Sequence, residues 1–382
     1  MDTEKSRKIF IIIGIFSLIL LLEVMVLHLL LPDKAYSETE KRGLTQLPAF
    51  SWEALFEGKL TEHLNDYASD QFPARSSLMK VRMNLSRYLG KRESNGVFYG
   101  KGGVLIEEFA EADMQKCADT AGALNDFIAT HEFENEWILL SPTAVSVYPE
   151  RLPLSAVTGD ESAWRDAFLS QLSPELEVLD TDTVYEEMKA EGTEIFYATD
   201  HHWRTETAYR VFLENAEACG WTVSELTEGV VNNRFSGSLA SKSGFTPARY
   251  DELGVYLNED EDLDVLVTQA FGDYESFSGF YAYDKLDSAN PYEVFLGGND
   301  PVLRISTTAD TNRTLLVLKD SYANCFIPFL ADSYKTICVI DPRYSANSID
   351  TILSDTEYTD LLVLYNTNTL SQDDSLQMIL EQ

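Results

Sequence analysis

Hydrophobic positions in this chain change period three times. Ile9 to Leu31 is an almost unbroken apolar run, interrupted by Ser17, Glu23 and His28. At a rise of ~1.5 Å per residue it covers roughly 34 Å, enough for a hydrocarbon core of ~30 Å. From residue 32 to about 95 the pattern is polar with helical spacing. Leu55, Phe56, Leu60, Leu64 and Tyr67 predict a helix over Trp52–Ala68, and a second runs over Arg75–Tyr88 beyond the break at Phe72-Pro73. Asn95-Gly96 marks a turn, and Val97–Tyr99 and Val104–Ile106 around Lys101-Gly102-Gly103 predict a short hairpin.

Beyond the hairpin, helical and continuous apolar segments alternate. Helices are expected over Met114–His131, Ala163–Leu172 and Thr205–Cys219. Trp137–Leu140, Leu176–Leu179, Leu315–Leu318, Ile337–Ile340 and Leu361–Leu364 are short apolar runs, as expected of parallel strands covered on both faces. An α/β domain with a parallel sheet follows. Residues 225 to 300 are acidic and rich in Gly and Tyr, and predict an irregular insertion with short strands. The expected organisation is a tail (1–8), a membrane-spanning anchor (9–31), a helical stalk (32–95) and an α/β domain (96–382).

Charge gives the anchor a direction. Lys5, Arg7 and Lys8 precede it, and Asp33, Glu38 and Glu40 follow. The positive-inside rule puts the N-terminus in the cytoplasm and the rest outside. A cleaved signal peptide is the competing reading. The run is long for one, and no small-x-small cleavage site follows it. The net charge of −34 disfavours nucleic acid as a partner. Cys117, Cys219, Cys325 and Cys338 form no C-x-x-C pair, and Cys325 and Cys338 lie in apolar runs, so buried free thiols are expected.

Two short motifs carry chemistry. Only five histidines occur, and two are in Asp200-His201-His202-Trp203. About a hundred residues later comes Lys319-Asp320-Ser321-Tyr322, where Ser321 follows a strand and opens an expected short helix, Tyr322–Leu330. Ligands bind at the C-terminal end of strands in a parallel sheet. A serine there needs a base. His202 is the candidate, with Asp200 expected on the same side of an extended segment to orient it. A helix cap explains Asp320-Ser321 equally well if that motif is taken alone. A metal reading of His201 and His202 is disfavoured, since adjacent histidines should point apart and no third ligand has a familiar spacing. No metal or cofactor is called for.

Asp200-His201-His202-Trp203 resembles the motif that names the DHHW family, itself similar to alginate O-acetylation proteins of the AlgX/AlgJ type with an SGNH-hydrolase-like fold. Further similar stretches are Ser37–Arg42 with Leu47-Pro48, Asp70–Arg75, Ser141-Pro142-Thr143 with Tyr148-Pro149, and Phe295–Asn299. The resemblance implies an SGNH-hydrolase-like, flavodoxin-like sheet with helices on both faces. It implies a triad of Asp200, His202 and Ser321, permuted so that Ser comes last. It also suggests site-lining roles for Arg343 and Tyr365, and an oxyanion role for Asn299 within Gly297-Gly298-Asn299-Asp300. Lys319 departs from the usual Gly-Asp-Ser. The implied activity is O-acetyl transfer to sugar hydroxyls of an exopolysaccharide or cell-wall glycan, with a multi-pass membrane O-acyltransferase supplying the acyl group. A carbohydrate acetyl-esterase, a non-catalytic polysaccharide-binding or assembly protein, and a metal site at the two histidines are the alternatives.

Overall fold

A computed structural model describes residues 3–37, 42–56, 58–258, 263–270, 275–345, 347–353 and 357–381. The chain divides into two units, Met1–Lys91 with Gly244–Thr246, and Arg92–Ser243 with Pro247–Gln382.

In the first unit one helix runs over Thr3–Leu30. Its Phe10–His28 stretch is long and apolar enough to cross a membrane, and none of it is buried in protein. Residues 38–41 of the family-like segment lie outside the described residues. The single helix expected over Trp52–Ala68 is two, Trp52–Phe56 and Lys59–Asp70. Gly58 between them has φ +80°, a conformation that ends a helix and costs glycine little. The Lys59–Asp70 helix is tied to the segment before it. Thr45 N–H donates to Asp70 Oδ2 at 2.9 Å and Tyr67 Oη to Asp33 at 3.0 Å. Arg75–Tyr88 forms the next helix, as the spacing predicts.

The second unit starts with the predicted hairpin. Ser94 pairs with Val97 across Asn95-Gly96, and both turn residues have positive φ, the mark of a tight two-residue turn. Among the described residues its main sheet has eight strands. In chain order we label them β1 (Asn135–Ser141), β2 (Glu177–Val178), β3 (Val265–Gln269), β4 (Ser276–Ser278), β5 (Val302–Thr307), β6 (Thr314–Lys319), β7 (Thr336–Ile340) and β8 (Asp360–Asn366). The spatial order is β4-β3-β5-β7-β6-β8-β1-β2. The five strands β7, β6, β8, β1 and β2 are parallel. β5, β3 and β4 extend the sheet by antiparallel pairing. The fold is therefore α/β as expected, but the sheet is mixed. The difference comes from β5, which runs antiparallel to β7, and from residues 225–300, which are more regular than their composition suggested. Residues 225–300 supply β3 and β4 and a separate ribbon of Leu226–Phe235 against Asp251–Asn258.

Alternation along the central strands builds two cores. Leu315 and Val317 of β6 face one, Leu316 and Leu318 the other. The Thr205–Cys219 helix packs Ala208, Val211, Phe212, Ala216 and Cys219 into the first core, and Met114–Thr130 packs Cys117, Ala121, Leu124 and Ile128 into the second. Covering both faces makes the middle strands continuously apolar. All four cysteines are buried and free.

Candidate active site

β6 lies between β7 and β8, and the chain leaves it toward β7 and then crosses to β8. The crevice at the C-terminal end of these strands receives the residues that follow them. Ser321 comes two residues after the end of β6, with Asp320 between them. The helix expected over Tyr322–Leu330 is instead two 3₁₀ segments, Ser321–Cys325 and Ile327–Ser333, with Pro328 near the start of the second. Proline has no N–H to continue a ladder from the first. Asp320 anchors this turn. Its Oδ1 accepts Tyr322 N–H at 2.8 Å, while Oδ2 accepts Asn366 N–H at 2.9 Å and Asn366 Nδ2–H at 2.6 Å. Its buried carboxyl is pushed above the usual value by desolvation. Asp320 therefore staples the Ser321 turn to the end of β8.

Asp200-His201-His202-Trp203 is held in a bend and not in the extended segment expected. A single bridge pairs Phe196 with Trp203, and the chain folds back between them. Asp200 Oδ1 accepts the backbone N–H of His202 at 3.0 Å, closing a local turn of the kind aspartate favours. The same oxygen faces His202 Nδ1 at 2.5 Å. Asp200 Oδ2 accepts Ser238 N–H at 2.6 Å. On the other side of the ring, His202 Nε2 lies 2.8 Å from Ser321 Oγ. With the proton on Nδ1 donated to Asp200, Nε2 accepts from the serine hydroxyl. Asp200, His202 and Ser321 are all buried, at 2%, 5% and 7% exposure, so this chain of bonds is weakly screened.

Several neighbours lock the arrangement. Tyr292 stacks on the His202 ring at 3.8 Å and 10°. Trp203 Nε1–H donates to Tyr322 O at 3.0 Å, and Tyr322 Oη–H donates to His201 O at 2.5 Å, so the two motifs grip each other. Asp251, in the ribbon, accepts Ala198 N–H, Thr199 N–H and Thr199 Oγ–H at 2.8, 2.9 and 2.7 Å. Gly237 passes so close that an added Cβ would sit 2.2 Å from Asp200 Cβ. Gly237→Ala is expected to cost about 1–3 kcal/mol of stability and to displace Asp200. A thermal melt together with an activity assay checks this.

Burial pushes the His202 pKa down to about 4, helped by His201 and Arg343 and opposed by Asp200. Burial alone would raise Asp200, but His202, His201 and its hydrogen bonds hold it well below the usual carboxylate value. His202 is then a neutral base over the physiological range. Its folded pKa lies below the unfolded value of 6.5, so acidification from pH 6.5 toward 4 weakens folding as the unfolded chain takes up the proton.

His201 Nδ1 bonds Ser238 Oγ at 2.7 Å. The two histidines do not point apart as expected, for their ring centroids are 3.9 Å from each other. The bend, unlike an extended strand, brings adjacent side chains to one side. Ligand atoms of Asp200, His201 and His202 lie within 4.8 Å of one another. Both Nδ1 atoms are engaged, by Ser238 and Asp200, so a cation there would compete with the Asp200–His202 bond.

Of the remaining expected residues, Arg343 is 20% exposed and clamps Asp341 through Nε and Nη2, at 2.8 and 2.7 Å. Asn299 is exposed, with Oδ1 accepting from Lys319 Nζ at 3.1 Å and Asn324 Nδ2 at 2.9 Å. Tyr365 does not line the crevice as expected. Strand alternation turns it into the second core, 1% exposed, with its hydroxyl unpartnered among the described residues. Asp251, Ser238, Gly237 and Tyr292 escaped sequence reasoning. All come from segments that read as irregular, and their roles are contacts with residues far off in the chain.

The DHHW protein family matches residues 139–340, which is more than half of the chain and contains both motifs. The chain belongs to the DHHW family. Among solved structures, a DHHW family protein from Eubacterium siraeum is similar at 22% identity and TM-score 0.63, over 75% of this chain and 95% of that one. Bacillus cereus PatB1 with a sulfonyl adduct is similar at 19% identity and TM-score 0.60, over 73% of this chain and 97% of that one. At these identities the likeness is one of fold. Among curated proteins, none matches this DHHW chain in sequence.

Proposed function

We propose that this protein is a membrane-anchored acyltransferase that moves acetyl groups onto sugar hydroxyls of an exopolysaccharide or cell-wall glycan outside the cytoplasmic membrane. The observation that carries this reading is the bonded series Asp200–His202–Ser321, at 2.5 and 2.8 Å, beyond the C-terminal end of a parallel strand, where ligands bind on such sheets. The N-terminal apolar helix supports the location, and the resemblance of Asp200-His201-His202-Trp203 to a motif family similar to alginate O-acetylation proteins suggests the acceptor.

In the first step Ser321 Oγ attacks the acetyl carbonyl of a donor ester as its proton passes to His202 Nε2. The carbonyl oxygen becomes an oxyanion, and the Ser321 backbone N–H and the Asn299 side-chain amide are the donors proposed to receive it. The donor's carbonyl–oxygen bond then breaks, and His202 returns the proton to the leaving group. That leaves acetyl-Ser321. In the second step a sugar hydroxyl gives its proton to His202 and attacks the acetyl carbon. The bond to Ser321 breaks, and the serine oxygen takes the proton back. Asp200 stabilises the transient imidazolium throughout. Arg343, half-buried beside Asp341, is proposed to meet the acceptor. Acetyl groups activated in the cytoplasm need a route across the bilayer, which a multi-pass membrane acyltransferase partner would provide.

Full-length protein given a chromogenic acetyl ester and oligosaccharide acceptors tests the assignment. Acetylated glycan is expected, whereas release to water alone would make it an esterase. With a base pKa of about 4, kcat/KM should rise with pH through that region and stay level across neutrality. A pH profile with its acid limb at or above pH 6 would contradict the buried neutral imidazole.

A further inference from the structure

Lys319 is a charged residue that the acyl-transfer steps do not use. It is the last residue of β6, only 1% exposed, and follows four apolar residues, Leu315–Leu318. A methionine would continue that run, whereas a buried ammonium is costly unless every donor is met. Here every donor is met. Lys319 Nζ reaches Asn324 Oδ1 at 2.8 Å, Asp341 Oδ2 at 3.0 Å and Asn299 Oδ1 at 3.1 Å. Those three bonds use all its hydrogens. Burial lowers the Lys319 pKa, and the Asp341 carboxylate opposes that shift. Arg343 holds the same carboxylate from its other side.

The consequence falls on Asn299. Its Oδ1 accepts from both Lys319 Nζ and Asn324 Nδ2. Two donors on one oxygen settle which way the amide faces, with the oxygen toward the buried cluster and the NH₂ group away from it. Asn299 Nδ2 meets no acceptor among the described residues. The chain reaches Asn299 through Gly297 and Gly298, with φ of 79° and 116°, a path open to glycine. Its two anchors bracket the nucleophile, Lys319 two residues before Ser321 and Asn324 three after it.

We propose that Lys319 is a positioning residue that fixes the Asn299 amide so that its N–H donates to the oxyanion formed when Ser321 attacks. This rests on the serine acyl-transfer reading and adds a reason for lysine where the related motif has glycine. Its charge is spent on orientation: Lys319 acts through Asn299 and does not touch the substrate.

The test uses full-length protein and a chromogenic acetyl ester, following Ser321 acylation in wild type, K319M, N299A, N299D and the K319M/N299A double variant. Asn299→Asp keeps an oxygen for Lys319 on an exposed side chain, so the fold should hold while the donor is lost. Each single variant is expected to acylate about 10²–10³-fold more slowly with KM little changed. The double variant should be no slower than the slower single one, because both substitutions break one arrangement. A purely structural lysine would instead give independent losses that multiply. If K319M does not fold, K319Q enters the same cycle with N299A. Wild-type acylation by the Lys319 variant or by N299D, or losses that multiply, would overturn the proposal. A wild type that is never acylated contradicts the serine reading itself, and the inference falls with it.

Discussion

Ser321→Ala is expected to abolish acetylation of the envelope glycan in cells and to slow ester turnover by the full-length protein by about 10⁴-fold or more. The size follows from what is removed. The hydroxyl is the atom that would carry the acetyl group, and its side-chain hydrogen-bond partner is His202 Nε2 at 2.8 Å. Asp320, two residues after Leu318, does not replace it. Its carboxylate is occupied by Tyr322 and Asn366 and it holds the turn. The substitution removes one hydrogen bond and opens little space, so the fold should survive. Glycan acetylation measured in cells carrying S321A checks the effect, with protein abundance as the control. Acetylation at the wild-type level would remove Ser321 from the mechanism.

Asp200→Asn should be nearly as damaging, for a different reason. Both carboxylate oxygens of Asp200 face donors: Oδ1 faces the His202 N–H and Nδ1–H, and Oδ2 faces Ser238 N–H. An asparagine can offer only one oxygen. If its NH₂ group meets Ser238 N–H, two donors collide in a buried place. If it meets His202 instead, Nδ1 must become the acceptor and the proton moves to Nε2. The imidazole then cannot accept from Ser321. A loss of about 10³–10⁴-fold in acylation rate is expected, since the wrong tautomer disables the base without moving it. Initial rates and a thermal melt separate this from unfolding. A variant within tenfold of wild type would mean that His202 does not depend on Asp200.

Much of this was legible in the residues, and the gaps have physical causes. Leu315–Leu318, Ile337–Ile340 and Leu361–Leu364 read as strands because a strand covered on both faces has no polar positions. Such runs do not say which strand lies beside which, so the order placing β6 between β7 and β8 could not be read. β5 and the antiparallel side of the sheet went unrecognised, because a strand near the margin such as Val265–Gln269, paired on both sides, is half-exposed and carries polar residues. Asp200, His202 and Ser321 were readable as candidates because few side chains can serve as base and nucleophile. Their supports were not. Asp251 acts on backbone N–H groups more than fifty residues earlier, and Gly237 matters for the side chain it lacks. Tyr365 was misplaced for a simpler reason. A one-residue step along a strand reverses the face, and Leu364 and Asn366 take the side it was expected to share.

The claim on which the account depends is that Ser321 carries the acetyl group. The most direct measurement is peptide mass spectrometry of the full-length protein, quenched in acid during turnover of an acetyl ester. The account predicts one acetyl group on the peptide containing Ser321, absent from S321A and accumulating in H202A only at a greatly reduced rate. Acetylation of another residue, equal labelling of wild type and S321A, or glycan acetylation proceeding with no labelled Ser321 would contradict it.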